Sequence, residues 1–201
     1  MISGDMSIRA DLGAKAGRLA PSQLNRELLL RAAGIRAGKA EGLWAVDATA
    51  GLGDDALLFA AAGCSLILFE RDPVISALLR DALERAAETE GLSEIAARMT
   101  LLEEDSIAGM QHLDISPAVV LLDPMFPEKK KNSLTAKKLQ LLRQLEKPCA
   151  QEAELLAAAR FLQPGRIVIK RPLKGPYLAG VKPDHSIRGK TIRYDCILCR
   201  K

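Results

Sequence analysis

The chain predicts a Rossmann-like, doubly wound α/β fold with a mostly parallel sheet and an antiparallel C-terminal hairpin, and three observations carry that expectation. Short apolar runs that read as strands alternate with helical segments. The first of these strands runs straight into a glycine-rich turn and then a helix. The chain closes on a hairpin pattern around Gly189. With 201 residues, 48% hydrophobic and 27% charged, it has the balance of one globular domain rather than of a disordered polymer. We divide it into a short N-terminal helical segment, 1–42, and a main domain, 43–201.

Each element has a local signal. Residues 22–34 read as a helix, with Ser22 as its cap, leucines at 24, 28 and 29, and Gly34 as its stop. LWAVD, 43–47, is a strand closing on an acid, and DDALLFAAAG after the glycine turn is a helix ending at Gly63. LILFE, 66–70, is a second strand. Asp72-Pro73 opens a helix to about Glu88 with Ala77, Leu78, Ala82, Leu83 and Ala86 on one face. RMTLLEED, 98–105, and AVVLLD, 118–123, are further strands, the latter apolar throughout and suited to the centre of a parallel sheet. Helical patterns at about 134–146 and 151–162 precede a fifth strand, RIVIKR, 166–171, and the hairpin SIRGKTIRYDCIL.

The chemistry gathers where the strands end. Gly51-Leu52-Gly53-Asp54-Asp55-Ala56 fits a G-x-G-x-x-A turn, which suits dinucleotides and other adenosyl ligands alike. A diphosphate favours bare amides and a positive helix end. Here Asp47, Asp54 and Asp55 surround the turn, so a cationic sulfonium amino acid, S-adenosylmethionine, fits better than NAD. Glu70, 17 residues beyond Gly53, is placed to accept from ribose hydroxyls. Asp105 and Ser106, after the third strand, could bond an adenine amine, although both also suit a helix cap. Asp123-Pro124-Met125-Phe126-Pro127 sets a carboxylate and a rigid proline in one corner. That corner can accept both hydrogens of an exocyclic amine, with Phe126 stacking on the base.

Charge is segregated along the chain. Residues 47–105 carry 13 acidic and 4 basic side chains, 128–147 carry 7 basic and 2 acidic, and 164–201 carry 10 basic and 2 acidic. Lys129, Lys130 and Lys131, then Lys137 and Lys138, then Lys170, Arg171 and Lys174 are the candidates for phosphate contacts on a nucleic acid. Solvated helix faces give the same segregation without any ligand.

In order, VDATAGLGDDA, LFERDPV, LLDPMFPEKKKNSL and IVIKRP resemble the bacterial small-subunit ribosomal RNA guanine-N2 methyltransferases of the RsmJ type, over about 43–198. The resemblance implies a class I methyltransferase fold and S-adenosylmethionine as cofactor, with S-adenosylhomocysteine as product. It also implies 16S rRNA or the small ribosomal subunit as partner. Residue by residue, it implies cofactor contacts from Asp54, Asp55, Glu70, Arg71, Asp105, Ser106 and Asp123, with Asp54 standing where members commonly carry Arg. A NAD-dependent oxidoreductase and an N6-adenine methyltransferase are the alternatives. The first leaves the acidic loop unexplained. Met125, where amino-directed adenine enzymes usually carry a second proline, stands mildly against the second.

No metal is expected: Cys196-x-x-Cys199 lacks a second pair, and His112 and His185 sit in no motif. The first eleven residues hold Asp5, Arg9 and Asp11 and no apolar core, and no apolar run reaches the ~18–20 residues of a membrane span. A soluble cytoplasmic protein is the resulting expectation.

Overall fold

Strict alternation of side chains along four adjacent strands builds two cores, one on each face of a single sheet. The computed structural model describes residues 2–3, 6–7, 9–125 and 150–199. Its strands are β1 (Ile2–Ser3), β2 (Met6–Ser7), β3 (Trp44–Asp47), β4 (Ser65–Phe69), β5 (Met99–Leu102), β6 (Val119–Leu122), β7 (Arg166–Pro172), β8 (His185–Arg188) and β9 (Ile192–Leu198). Seven of them form a sheet in the order β5-β4-β3-β6-β7-β9-β8. β5, β4, β3, β6 and β7 are mutually parallel, and β9 is antiparallel to both β7 and β8. The strand order reverses between β3 and β6, the kind of crevice where open α/β sheets take their ligands.

The helices are α1 (Pro21–Leu24), α2 (Leu28–Ala33), α3 (Ala56–Ala62), α4 (Pro73–Ala87), α5 (Ser93–Ala96), α6 (Ser106–Gly109) and α7 (Glu152–Phe161). Ala45, Leu66, Leu68, Val119, Leu121 and Val168 pack against buried leucines and alanines of α1 to α4. Val46, Ile67, Phe69, Val120, Leu122, Ile167 and Ile169 pack on the opposite face against α7 and Met110. Consecutive residues of one strand thus enter opposite layers. All four residues of β6 are buried, as a strand covered by helices on both sides requires.

Leu12, Leu24, Leu29 and Leu30 belong to the same core cluster as Ala45 and Leu121, so 1–42 contributes directly to the packing of the sheet. Two details differ from the sequence expectation there. Residues 22–34 form α1 and α2 rather than one helix, broken at Glu27, whose extended backbone is held by a bidentate bond from Arg18 at 2.8 Å. Helix α1 starts after Ala20 with Pro21 at its first position, so Ser22 is inside it and caps nothing.

Helix α4 presents most of the expected face, with Leu78 and Leu83 partly buried against the core beside buried Ala82 and Ala86, and departs from it at Ala77. Asp72 accepts from the amides of Val74 and Ile75, which starts the helix at Pro73. Ile75, Leu79, Ala82 and Ala86 are then buried, while Ala77 is exposed. The expected helix at 134–146 lies outside the described residues. No helix among the described residues is long and apolar enough to cross a membrane.

Candidate active site at the carboxyl edge of the sheet

Strand register brings three ionisable side chains to one place. Asp47 lies across from Leu121, and Leu121 lies across from Val168. One side-chain repeat further along their strands stand Asp123 and Lys170. Asp47, Asp123 and Lys170 therefore end adjacent strands on the same face, the face covered by α3. The loop before α3 adds Asp55. Lys170 Nζ donates to Asp55 Oδ2 at 2.6 Å and pairs with Asp123 Oδ2 at 2.9 Å.

The environment pushes these groups away from their ordinary behaviour. Asp47 is 2% exposed, and burial raises its carboxyl from 3.8 to about 7, with Asp55 and Asp123 adding to the rise. The Thr49 amide, donating to Asp47 Oδ1 at 3.0 Å, opposes it. Asp123 is likewise raised by burial and by Asp55, with Lys170 pulling it back. Burial alone would discharge Lys170, yet the Asp123 and Asp55 carboxylates outweigh it and keep the ammonium charged. Thr49 joins the two strand ends a second time, since its Oγ1 accepts from the Asp123 amide at 2.7 Å.

On the other side of Asp123 opens a cavity of about 460 Å³, in the usual range for a small-molecule site. Thr49, Glu70, Arg71, Asp105, Ser106, Asp123 and Pro124 supply its polar wall, and Phe69, Pro73, Ile107 and Leu155 its apolar one. Glu70 accepts from the Gly51 amide at 3.0 Å and from the Asp72 amide at 2.8 Å, tying the glycine turn to the start of α4. Burial raises its carboxyl too, against the lowering effect of those amides. Asp105 caps α6 through the Ile107 amide and receives Arg71 at 2.9 Å, closing the far wall.

The glycine turn is held by geometry rather than by preference. Gly53 has φ +78, and a Cβ there would fall 2.7 Å from Leu79 Cδ1 of α4. Gly51, at φ +54, also occupies the left-handed region. Neither glycine lines the cavity, and neither do Asp47, Asp54 and Asp55. The two acids precede α3 instead of forming its first turn, because the helix starts at Ala56. Asp55, at the cap position, makes no cap bond and binds Lys170 instead.

Three basic residues expected to meet phosphate are placed differently from one another. Lys170 is engaged by two carboxylates, which corrects its assignment as a phosphate contact. Arg171 is 1% exposed and faces the opposite layer, where it pairs with Glu152 of α7 at 2.7 Å, so no phosphate can reach it. Lys174 is exposed, in the loop beyond β7. Phe126, Lys129, Lys130, Lys131, Lys137 and Lys138 lie outside the described residues.

Sequence reasoning missed Thr49, the Lys170 bridge and two further cations. Pro172 lies across from Ile192, and the Leu173 amide donates to Thr191 O at 3.1 Å. The β8–β9 turn therefore sits at the same sheet edge as the cavity, bringing exposed Arg188 and Lys190 beside Lys174. The available signal was the antiparallel return of the hairpin, which puts its turn beyond the end of β7.

A parallel sheet reversing between β3 and β6, closed by an antiparallel pair, with a carboxylate-walled cavity at the reversal, is the architecture of class I methyltransferases. The family model described as "Putative SAM-dependent methyltransferase" matches residues 3–199. The ribosomal RNA small subunit methyltransferase J of Marinobacter nauticus is 41% identical over 199 residues, spanning 96% of this chain and 66% of that protein. Its counterpart from Stutzerimonas stutzeri is 42% identical over 191 residues, spanning 94% and 73%. The chain thus spans about two thirds to three quarters of the length of these relatives. A SAM-dependent methyltransferase of known structure from Neisseria gonorrhoeae superposes with a TM-score of 0.78 at 30% identity, covering 99% of this chain and 78% of that one. The rRNA methyltransferase AviRa of Streptomyces viridochromogenes shares the fold, with a TM-score of 0.56 at 16% identity, covering 89% of this chain and 85% of its own. The chain belongs to the ribosomal RNA small subunit methyltransferase J family, within the SAM-dependent methyltransferases. Family and fold together set the oxidoreductase alternative aside and imply the use of S-adenosylmethionine.

Proposed function

We propose that the protein transfers a methyl group from S-adenosylmethionine to the exocyclic N2 amine of a guanine in 16S rRNA. The observation that carries this reading is the Asp123–Pro124 corner: an oxygen-lined notch at the wall of a carboxylate-rich cavity, fixed from behind by Thr49 and Lys170. The names of the 41–42% identical relatives support a small-subunit rRNA substrate.

The cavity suits the donor's chemistry. Glu70, already oriented by two amides, has acceptor capacity left for ribose hydroxyls. Asp105 and Ser106 face the cavity where an adenine amine would be bonded, and Phe69 and Ile107 supply an apolar wall for a purine. Asp47 and Asp55, which stand close to Asp123 without lining the cavity, add negative potential at its Asp123 end, which favours a sulfonium and an ammonium. When bound, the donor supplies an electrophilic methyl on a cationic sulfur.

The guanine amine is a poor nucleophile because its lone pair is delocalised into the ring. The Asp123 carboxylate and the Pro124 carbonyl, by accepting its two hydrogens, hold the nitrogen with its lone pair free to form the new C–N bond. As that bond forms, the carbon–sulfur bond breaks and the nitrogen becomes positively charged. Asp123, made more basic by burial and by Asp55, takes the surplus proton. Lys174, Arg188 and Lys190 at the same edge would meet phosphates flanking an extruded base, giving affinity and orientation rather than sequence reading. Lys129, Lys130, Lys131, Lys137 and Lys138 are proposed from the sequence as further phosphate contacts.

Labelled S-adenosylmethionine with small ribosomal subunits from cells lacking the activity tests the reading. Digestion should yield label in N2-methylguanosine alone. Label in methyladenosine or in ribosomal protein would overturn it.

A further inference from the structure

The Lys170 ammonium touches Asp123 at 2.9 Å and Asp55 at 2.6 Å, yet Lys170 is not among the residues that line the cavity. It therefore stands behind the acceptor, between it and the glycine turn, where it cannot meet the substrate base while those bonds persist. We propose that Lys170 is a positioning residue that keeps the Asp123 carboxylate ionised and fixed in orientation, so that the notch accepts hydrogen bonds from the incoming amine. This rests on the reading of Asp123 as the acceptor.

Asp123 faces Lys170 and Arg171 from β7 and Asp55 from the loop before α3. Asp47 from β3 and the phenol of Tyr194 from β9 belong to the same coupled set. Three carboxylates share this space: Asp55 disfavours ionisation of Asp123, and both disfavour ionisation of Asp47. Arg171 acts from the other face of β7 and is paired with Glu152, and the buried Tyr194 phenol stays neutral. Lys170 is thus the cation in direct contact with Asp123 among the described residues. Without it, desolvation and Asp55 would drive Asp123 toward its protonated form. A protonated carboxyl donates a hydrogen bond, and it can no longer take up the amine's proton.

Lys170 also sets the total charge of the pocket. A cluster of bare carboxylates would attract the cationic donor but disfavour an ionised acceptor. One partly buried ammonium partly neutralises the wall while leaving net negative charge toward the cavity. Its position reproduces the requirement that acceptor and donor site be tuned separately.

The test compares the wild type with Lys170→Met, Lys170→Arg and Asp55→Asn, by carboxyl-carbon NMR titration of Asp123 and by single-turnover methyl transfer against pH. The Asp123 resonance is assigned with Asp123→Asn. In Lys170→Met the Asp123 midpoint and the acid limb of the rate should both rise by at least about one pH unit, a tenfold increase in proton affinity. The rate should recover to within about threefold of wild type on the alkaline side, whereas Lys170→Arg should titrate near wild type. Asp55→Asn should move the midpoint the opposite way, because it removes a like charge and leaves Lys170 to Asp123. It also keeps the test decisive if Lys170→Met does not fold. An Asp123 midpoint unmoved in Lys170→Met, or raised in Asp55→Asn, would overturn the proposal. Full transfer by Asp123→Asn would instead remove the acceptor reading itself, while leaving the titration result for Lys170 standing.

Discussion

The acidic stretch that carries β3 to β5 and the basic stretch that carries β7 to β9 treat charge in opposite ways. In the first, carboxylates bind backbone: Asp47 holds the Thr49 amide, Glu70 those of Gly51 and Asp72, Asp72 those of Val74 and Ile75, and Asp105 that of Ile107. These bonds shape loops and leave carboxylate oxygens facing a cavity. In the second, several cations are turned inward. Lys170 binds Asp55 and Asp123, Arg171 binds Glu152, and Arg193 binds Asp195 while donating to the carbonyls of Pro172, Leu173 and Gly175. Charge counted along a sequence thus overstates the charge on the surface. The acidic half supplies much of the cavity wall, while Lys170 and Arg193 of the basic half hold Asp123 and the loop beyond β7.

The sharpest way to break this comparison is at its meeting point. Asp123→Ala should lower methyl transfer by about 10²–10⁴-fold, the usual contribution of a positioned acid–base group, with the circular dichroism spectrum unchanged. A loss of less than tenfold would separate the notch from the chemistry.

Next in size is the inward-facing arginine. Arg193 and Asp195 are almost wholly buried, so Arg193→Leu leaves a buried carboxylate without its counter-ion and removes a shared donor from the carbonyls of Pro172, Leu173 and Gly175. Breaking such a pair costs about 3–5 kcal/mol, read by urea denaturation. A cost below 1 kcal/mol would mean that loop 172–177 is held by other means.

Asp47 offers a pH test of the acidic half. Its folded value of about 7 stands above the unfolded 3.8, so between these values the native state holds a proton that the unfolded chain has released. This contribution favours folding below about 4 and is lost as pH rises through about 7. Asp47→Asn keeps the acceptor for the Thr49 amide and cannot ionise. Its stability advantage over wild type should therefore grow between pH 4.5 and 7.5, to the order of a few kcal/mol. Melting curves at both pH values check this, and a constant difference would contradict it.

Smaller again is the turn. Gly53→Ala meets both a positive φ and Leu79, and about 1–2 kcal/mol of stability should be lost together with part of the affinity for S-adenosylhomocysteine, measured by calorimetry. The smallest effects belong to the exposed cations. Lys174→Glu, Arg188→Glu and Lys190→Glu should each reduce the salt dependence of rRNA binding by about one unit of slope and leave S-adenosylhomocysteine affinity unchanged. Equal losses in both would make these side chains structural.

Much of this architecture was legible before any coordinates. AVVLLD could hardly be anything but a central parallel strand, and the proline after Asp72 fixed the start of α4. Glu70, Asp105, Ser106 and Asp123 were expected around one cavity because they follow strands at the carboxyl edge of an α/β sheet, and all four line it. On α4 only Ala77 departs from the expected face, being exposed, while Ile75 and Leu79 join Ala82 and Ala86 as buried residues. At the break between α1 and α2, Glu27 meets Arg18, nine residues earlier, a pairing the helix pattern does not announce.

Local patterning determined the elements, the left-handed glycines and the acids at strand ends, because these depend on residues within a few positions of one another. Which cation faces which carboxylate was decided by the folded sheet. Lys170 and Asp55 are 115 residues apart, and they meet only because β7 adopts the register that sets Lys170 beside the end of β6. The same alternation sends Arg171, one residue later, through to the other layer. A sequence lists both as bases in one run, whereas the pleat gives one to Asp123 and Asp55 and the other to Glu152 in the opposite layer.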